Sequence, residues 1–149
     1  MKSMSPALMA GLLLAAGTAG ACGGDRKPTS SEAGGALKKH VASVLSKIHA
    51  RNVSIIENGA RGEGCSKNKE RYLYSVRATK RILGGDEPDL LVDLMTAYAG
   101  GIPGYRTTNV LVGKSPATYL HNDQAHTDLK VYSPQKSQIG ISGSTDCLK

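Results

Sequence analysis

The chain has 149 residues and a formal net charge of +7, and it contains neither Trp nor Phe. This length is enough for one domain of ordinary size and excludes a chain of several large domains. Aromatic side chains usually supply a large part of core burial, and here that part falls to six tyrosines. We therefore expect a modest core that gains from a covalent link.

Residues 1–21 predict a secretory signal peptide. Lys2 supplies a positive start, Pro6 precedes the apolar run 7–21, and small residues end that run. A permanent membrane span needs about 20 apolar residues, so this run is too short for one. The alternatives are an uncleaved anchor and a disordered tail.

Cys22 follows this run directly and is the predicted lipidation site. The residues before it, Ala19, Gly20 and Ala21, are typical of a bacterial lipobox, although Leu is preferred at the position of Ala19. They also form an A-x-A site for ordinary signal peptidase, which would release a soluble protein with an exposed thiol. The small and polar residues that follow suit a flexible tether over 22–35 and favour lipidation.

An apolar stripe predicts the first helix, with Leu37, Val41, Val44, Leu45 and Ile48 spaced along one helix face. Ser30 or Ser31 suits its N-cap. The two glycines at 34 and 35 disfavour helix, so we expect regular helix only from about Ala36. The folded domain is accordingly predicted over 36–149.

Strand patterns flank a second helix. Val53–Ile56 and the alternating segment Tyr72–Thr79 predict two strands. Pro88 opens a helix whose apolar stripe is Leu90, Leu91, Leu94, Met95 and Tyr98. Three more strands are predicted at Tyr105–Val112, around Leu129 and Val131, and around Ile139 and Ile141. The order α-β-β-α-β-β-β predicts an α+β fold, a two-layer sandwich with both helices on one face of a mainly antiparallel sheet.

The two downstream cysteines, Cys65 and Cys147, predict a disulfide, because an exported chain enters an oxidising compartment. A bridge over this span is worth roughly 4 to 5 kcal/mol in the loop-entropy model. The alternative is a pair of buried free thiols. The pairing leaves Cys22 without a partner, which agrees with its lipidation.

Three short segments resemble small actinobacterial lipoproteins of unknown function, including the LppA-like group. They are Cys22-Gly23-Gly24, the Gly-flanked segment Gly62–Cys65 and the C-terminal element Ile141–Leu148. The resemblance implies a lipid-anchored, extracytoplasmic α+β domain. It implies no catalytic residue.

The segment HNDQAH and its neighbour offer His121, Asp123, His126 and Asp128, residue types that bind transition metals. We expect a polar turn here instead, since the two histidines lie five apart and no second ligand motif accompanies them. His40 and His49 are predicted on the surface. Ser142 departs from the G-x-S-x-G pattern. We therefore predict no catalytic residue, no metal site and no cofactor.

Basic residues crowd the region around the second strand, namely Lys67, Lys69, Arg71, Arg77, Lys80 and Arg81. Four more lie on or beside the first helix, namely Lys38, Lys39, Lys47 and Arg51. They predict contact with anionic lipid headgroups or acidic wall polymers. The alternative is a solvated surface with no dedicated partner. Nucleic acid is not expected as a partner of an exported chain.

Together these patterns predict a non-enzymatic binding module, held by lipid on the outer face of the cytoplasmic membrane. The alternatives are an inhibitor or immunity-type protein, secreted or anchored, and a cell-envelope hydrolase. The sequence does not identify a protein partner.

Overall fold

Two helices and six strands follow one another in a computed structural model, which describes residues 26–83 and 85–149. The helices are α1 (Ser30–Lys47) and α2 (Pro88–Gly100). The strands are β1 (Arg51–Arg61), β2 (Arg71–Thr79), β3 (Tyr105–Leu111), β4 (Ala117–Asn122), β5 (Thr127–Gln135) and β6 (Gln138–Thr145). The predicted signal peptide and Cys22 lie outside the described residues.

The strands form one antiparallel sheet in the order β1-β2-β6-β5-β4-β3. The last strand therefore lies in the middle and joins the β1–β2 hairpin to the β3–β4–β5 meander. Both helices pack on one face of this sheet. The predicted two-layer α+β fold is confirmed.

The core lies between the helices and the covered face of the sheet. Every third or fourth residue of α1 is buried, namely Leu37, Val41, Val44 and Ile48 at its end. These pack with aliphatic side chains of the central strands, among them Val76, Leu129, Val131, Ile139 and Ile141. Each fully buried side chain of this kind contributes about 1.5–3 kcal/mol.

The stripe predicted for α2 is rotated in the structure. The helix buries Leu91, Val92 and Met95, together with Ala99, whereas Leu90 and Tyr98 are exposed. Val92 therefore takes a core position that the sequence pattern did not assign to it.

One strand, β4, is absent from the sequence prediction. Its core-facing residues are Thr118, Leu120 and Asn122, and all three are buried. Two of the three are polar, so the strand shows no alternation of apolar and polar residues. Asn122 is satisfied by local hydrogen bonds, since its amide donates to the carbonyl of Pro103 and its oxygen accepts two backbone N–H groups of the next turn.

Helix α1 begins at Ser30, so residues 30–35, which composition assigns to the tether, belong to the domain. A capping box starts the helix: Thr29 accepts a hydrogen bond from the backbone of Glu32, and Glu32 accepts one from the backbone of Thr29. The N–H of Ser30 also donates to the carbonyl of Lys149 at 2.8 Å. Gly34 is required by packing, because a Cβ there would lie 2.5 Å from the ring of Tyr72.

A disulfide joins Cys65 and Cys147, whose Cα atoms are 5.6 Å apart. Cys65 lies in the turn after β1 and Cys147 follows β6. Beside them, the backbones of Glu70 and Leu148 exchange two hydrogen bonds. The bridge therefore ties the first hairpin to the C-terminus at the end of the sheet where α1 begins.

Candidate functional site

The fold has two ends, which we name by what they contain. The disulfide end comprises residues 26–29 before α1, the β1–β2 turn (62–70) and the C-terminal residues 146–149. The distal end comprises residues 48–52 after α1, residues 80–81 after β2 and the β5–β6 turn (136–137). The 18 residues of α1 separate the two ends by about 27 Å at 1.5 Å per residue.

The six basic residues predicted around β2 do not form one patch. Lys67 and Lys69 lie in the turn at the disulfide end, Arg71 begins β2, and Arg77 lies on the uncovered face of the sheet. Lys80 and Arg81 lie at the distal end. The sheet thus divides the predicted set into two clusters with Arg77 between them.

Charges of both signs mix at the disulfide end. A cavity of about 490 Å³ is lined there by residues of the chain's entry and exit, including Lys27, Lys69, Asp146 and Lys149. The Nδ1 of His126 lies 2.8 Å from the carboxylate of Asp146, and Arg26 pairs with Glu32 at 2.7 Å. Arg26 therefore has a carboxylate partner at this end, whereas the lysines of this end form no salt bridge within the described residues.

Arg71 packs against the disulfide at this end. Its guanidinium lies 3.5 Å from the Sγ of Cys147, so the side chain packs against the disulfide and is half-buried. This contact sets it apart from the exposed Lys67 and Lys69 beside it.

The distal end is mostly cationic. A cavity of about 590 Å³ is lined by His49, Arg51, Lys80 and Arg81, together with Asn52, Thr79 and Ser137. A second cavity of about 460 Å³ adjoins it and adds Lys47. We call Lys47, His49, Arg51, Lys80 and Arg81 the distal cluster. Register explains the convergence, because Arg51 pairs with Thr79 across the β1–β2 hairpin and so lies beside Lys80.

Within the described residues, no member of the distal cluster forms a salt bridge. The two neighbouring carboxylates have other partners. The hydroxyl of Ser137 donates to Asp86, and Lys136 pairs with Glu87 at 2.5 Å. The hydrogen bond from Ser137, with the nearby charges of Arg81 and Lys136, holds the pKa of Asp86 below its usual range.

The uncovered face of the sheet carries a shallow cavity of about 340 Å³. Lys130 lies at its centre, with Nζ 5.4 Å from the ring centroid of Tyr119 and 5.3 Å from that of Tyr132. These distances are within cation–π range. Because Lys130 occupies the space between the two rings, this face is already engaged in contacts within the chain.

The structure brings three of the four candidate residues of this segment together, His121, Asp123 and Asp128, and leaves His126 apart. His121 is held between two carboxylates, with Nδ1 2.7 Å from Asp128 and Nε2 2.9 Å from Asp123, whereas His126 contacts Asp146. The hydrogen bond to Asp128 is the main cause of a raised pKa at His121, and the bond from His121 lowers the pKa of Asp123. Across residues 26–83 and 85–149, no group of three or more His, Cys, Asp or Glu side chains is placed to hold a metal ion.

His40 was expected on the surface, but the structure half-buries it against the sheet. Its Nδ1 lies 3.1 Å from the hydroxyl of Tyr105, which in turn lies 2.7 Å from the hydroxyl of Thr127. Burial lowers the pKa of His40 and raises that of Tyr105 to about 12. The sequence signal for this contact is weak, because it joins α1 to β3 across 65 residues.

None of the helices in the described part of the chain is long and apolar enough to cross a membrane. A scan against protein-family models finds no match to this chain, and searches of curated proteins and of solved structures find no similar protein.

Proposed function

We propose that the protein is a lipid-anchored, extracytoplasmic binding module that is tethered through Cys22 and has no enzymatic activity of its own. The observation that carries the proposal is the way the chain enters the fold. Residues 26–29 lie at the disulfide end, and α1 begins at Ser30. Three residues lie between Cys22 and Arg26, and the four peptide units that join them limit their separation to about 14 Å.

Such a short connection orients the domain. An anchor at Cys22 would hold the disulfide end close to the headgroups, within about one or two Debye lengths. Lys67 and Lys69, both exposed on this side, would then contact anionic headgroups. The distal end would point away from the membrane.

The contacts of the histidines and cysteines support a binding role over catalysis. Both nitrogens of His121 contact carboxylates, His126 contacts Asp146 and His40 contacts a buried tyrosine. Cys65 and Cys147 are disulfide-bonded. A histidine base beside a serine or cysteine nucleophile is the usual mark of acyl-transfer enzymes, and these five side chains are engaged otherwise. His49 lines the distal cavity with Ser137, but the hydroxyl of Ser137 donates to Asp86.

Lipidation is tested by expressing the full chain in a bacterial host fed an alkyne-labelled palmitate. The expected result is label on the protein, partition into the detergent phase, and an intact mass that fits acylated Cys22 as the first residue. The variant Cys22→Ser should lose both the label and the detergent partition. The matched control Ser31→Ala, in the first turn of α1, should keep both.

An unlabelled mature chain that begins at Cys22 and stays in the aqueous phase would contradict the anchor and favour ordinary secretion. The labelling experiment does not depend on any ligand, so it tests the anchor separately from the binding role.

A further inference from the structure

The distal cluster is the strongest unassigned feature of the described residues. Its cations come from three separate elements: the end of α1, the start of β1 and the segment after β2. Arg51, Lys80 and Arg81 line a cavity of about 590 Å³, within the size range of small-molecule sites. Lys47 lines the adjoining cavity.

Unusual backbone conformations accompany this cavity. Five non-glycine residues in the described ranges have left-handed φ values. Three of them line it, namely His49 at 54°, Asn52 at 52° and Ser137 at 60°. Left-handed conformations at residues other than glycine are unfavourable and tend to cluster at functional sites.

The position of the cluster separates it from the membrane surface. With the chain anchored at the disulfide end and α1 directed away from the membrane, the distal cluster lies up to about 27 Å further out. The Debye length at physiological ionic strength is about 8 Å, so headgroup charge does not reach it. Contact with the anchoring membrane therefore gives no reason for four unpaired Lys and Arg side chains at this end.

We infer that the distal cluster binds phosphoryl groups, either as a free phosphate ester or as the phosphodiesters of an anionic envelope polymer. A phosphate monoester carries about 1.5 to 2 negative charges and three acceptor oxygens. A phosphodiester carries a single charge shared by two terminal oxygens, so a polymer would bind through several of its groups at once. The guanidinium groups of Arg51 and Arg81 provide paired donors for such oxygens, and Lys80, which lines the same cavity, adds a point charge. The inference rests on the proposed function in one respect: the lipid anchor places the ligand outside the cell and away from the membrane surface.

The test measures binding of the full chain, purified in detergent, to three probes by isothermal titration calorimetry. The probes are glycerol 3-phosphate, poly(glycerol phosphate) and poly-glutamate. We expect the phosphate probes to bind and poly-glutamate of equal charge to bind at least about tenfold more weakly. Tighter binding of glycerol 3-phosphate than of the polymer, per phosphate, indicates a free ester as the ligand, while tighter binding of the polymer indicates a polymer.

Two triple variants that remove the same charge distinguish a site from general attraction. Arg51→Gln with Lys80→Gln and Arg81→Gln should weaken phosphate binding at least about tenfold, at about 1 kcal/mol per cation. Lys27→Gln with Lys114→Gln and Lys149→Gln, three exposed lysines outside the distal cluster, should change it less than about twofold. If the distal triple variant fails to fold, the exposed single variant Arg81→Gln is expected to weaken binding about fivefold.

Equal weakening by both triple variants would overturn the proposal, and so would equally tight binding of poly-glutamate or no binding of either phosphate probe by the unmodified chain. Because the anchor is tested by acyl label on Cys22, failure here and failure of the anchor are distinguishable.

Discussion

The two ends of α1 are built differently. At the disulfide end a covalent bond, a capping box and the hydrogen bond from Ser30 to Lys149 fix the chain. At the distal end the turns contain three residues in left-handed conformations and a cluster of cations without salt bridges in the described residues. The fold thus concentrates its cross-links at the end where the chain enters and leaves, and gathers cations around one cavity at the other.

This separation has a physical reason. A domain without Trp or Phe has limited apolar area to bury, so covalent and capping interactions add stability where both termini would otherwise fray. Like charges that repel one another lower stability. Placing them at the end remote from the termini keeps that repulsion away from the part most prone to local unfolding.

The largest effect expected at the disulfide end comes from replacing both cysteines, Cys65→Ser with Cys147→Ser. The two are 82 residues apart, and a loop of this size gives about 4.5 kcal/mol in the chain-entropy model. We expect the free energy of unfolding to fall by about that amount, measured by denaturant titration. Reducing the unmodified chain is the matched control and should give the same loss, whereas a loss below about 1 kcal/mol would show that cross-linking does not dominate this end.

A glycine pair in α1 tests how tightly the disulfide end is packed. Gly34→Ala places a Cβ 2.5 Å from the ring of Tyr72, whereas a Cβ at Gly35 meets nothing within 4 Å. We expect Gly34→Ala to destabilise the fold by about 1–3 kcal/mol through overpacking. Gly35→Ala should stabilise it by about 0.5–1 kcal/mol, since alanine is the better helix former. Thermal unfolding of the two variants measures the contrast, and equal shifts would contradict the close approach of α1 to β2.

The same glycines show which parts of the fold were predictable. The apolar stripe of α1 appears in consecutive residues, so its core face was predicted from Leu37 onward. The helix start was not, because Gly34 and Gly35 disfavour helix locally and their compatibility depends on Tyr72 and on the C-terminal carbonyl of Lys149. Contacts between residues far apart in sequence override a local propensity here.

Strand β4 and the distal cluster were missed for a related reason. Thr118 and Asn122 are polar yet face the core, which erases the period-two pattern. The basic residues were recognised, but their division between two ends follows from the β1–β2 register, which pairs Arg51 with Thr79. That register contains two bulges, so counting residues along the sequence does not predict which cations meet.

A substitution of His49 is expected to stabilise the distal end, whereas replacing the cysteines destabilises the disulfide end. It occupies the left-handed position after α1, where the backbone hydrogen bonds His49 to Ser46 and Ala50 to Leu45 form a Schellman motif. Glycine is preferred at this position, so His49→Gly should raise the free energy of unfolding by about 0.5–1 kcal/mol. His49→Ala removes the imidazole but keeps the strain, and it should not stabilise. Chemical denaturation separates the two, and stabilisation by His49→Ala would show that strain is not the cause.

The smallest expected effect is a pH dependence at the β4–β5 turn, which adjoins the disulfide end through His126. The carboxylates of Asp128 and Asp123 raise the pKa of His121 above 6.5. A raised pKa contributes stability that is fully present below the unfolded value and is lost as pH rises through the folded one. His121→Gln should therefore destabilise the fold most below pH 6.5 and progressively less at higher pH, as measured by urea midpoints across that range.

His40 provides the contrast, because burial lowers its pKa below 6.5. The pH dependence of stability therefore has the opposite sign for His40. As pH falls from 6.5 through the lowered pKa, His40 takes up a proton more readily in the unfolded chain, so the folded state loses stability. Acidification should therefore destabilise His40→Gln less than the unmodified chain. It should destabilise His121→Gln more than the unmodified chain, because that variant lacks the gain from protonating His121. If both variants changed the urea midpoint in the same direction with pH, the opposite environments of the two histidines would be contradicted.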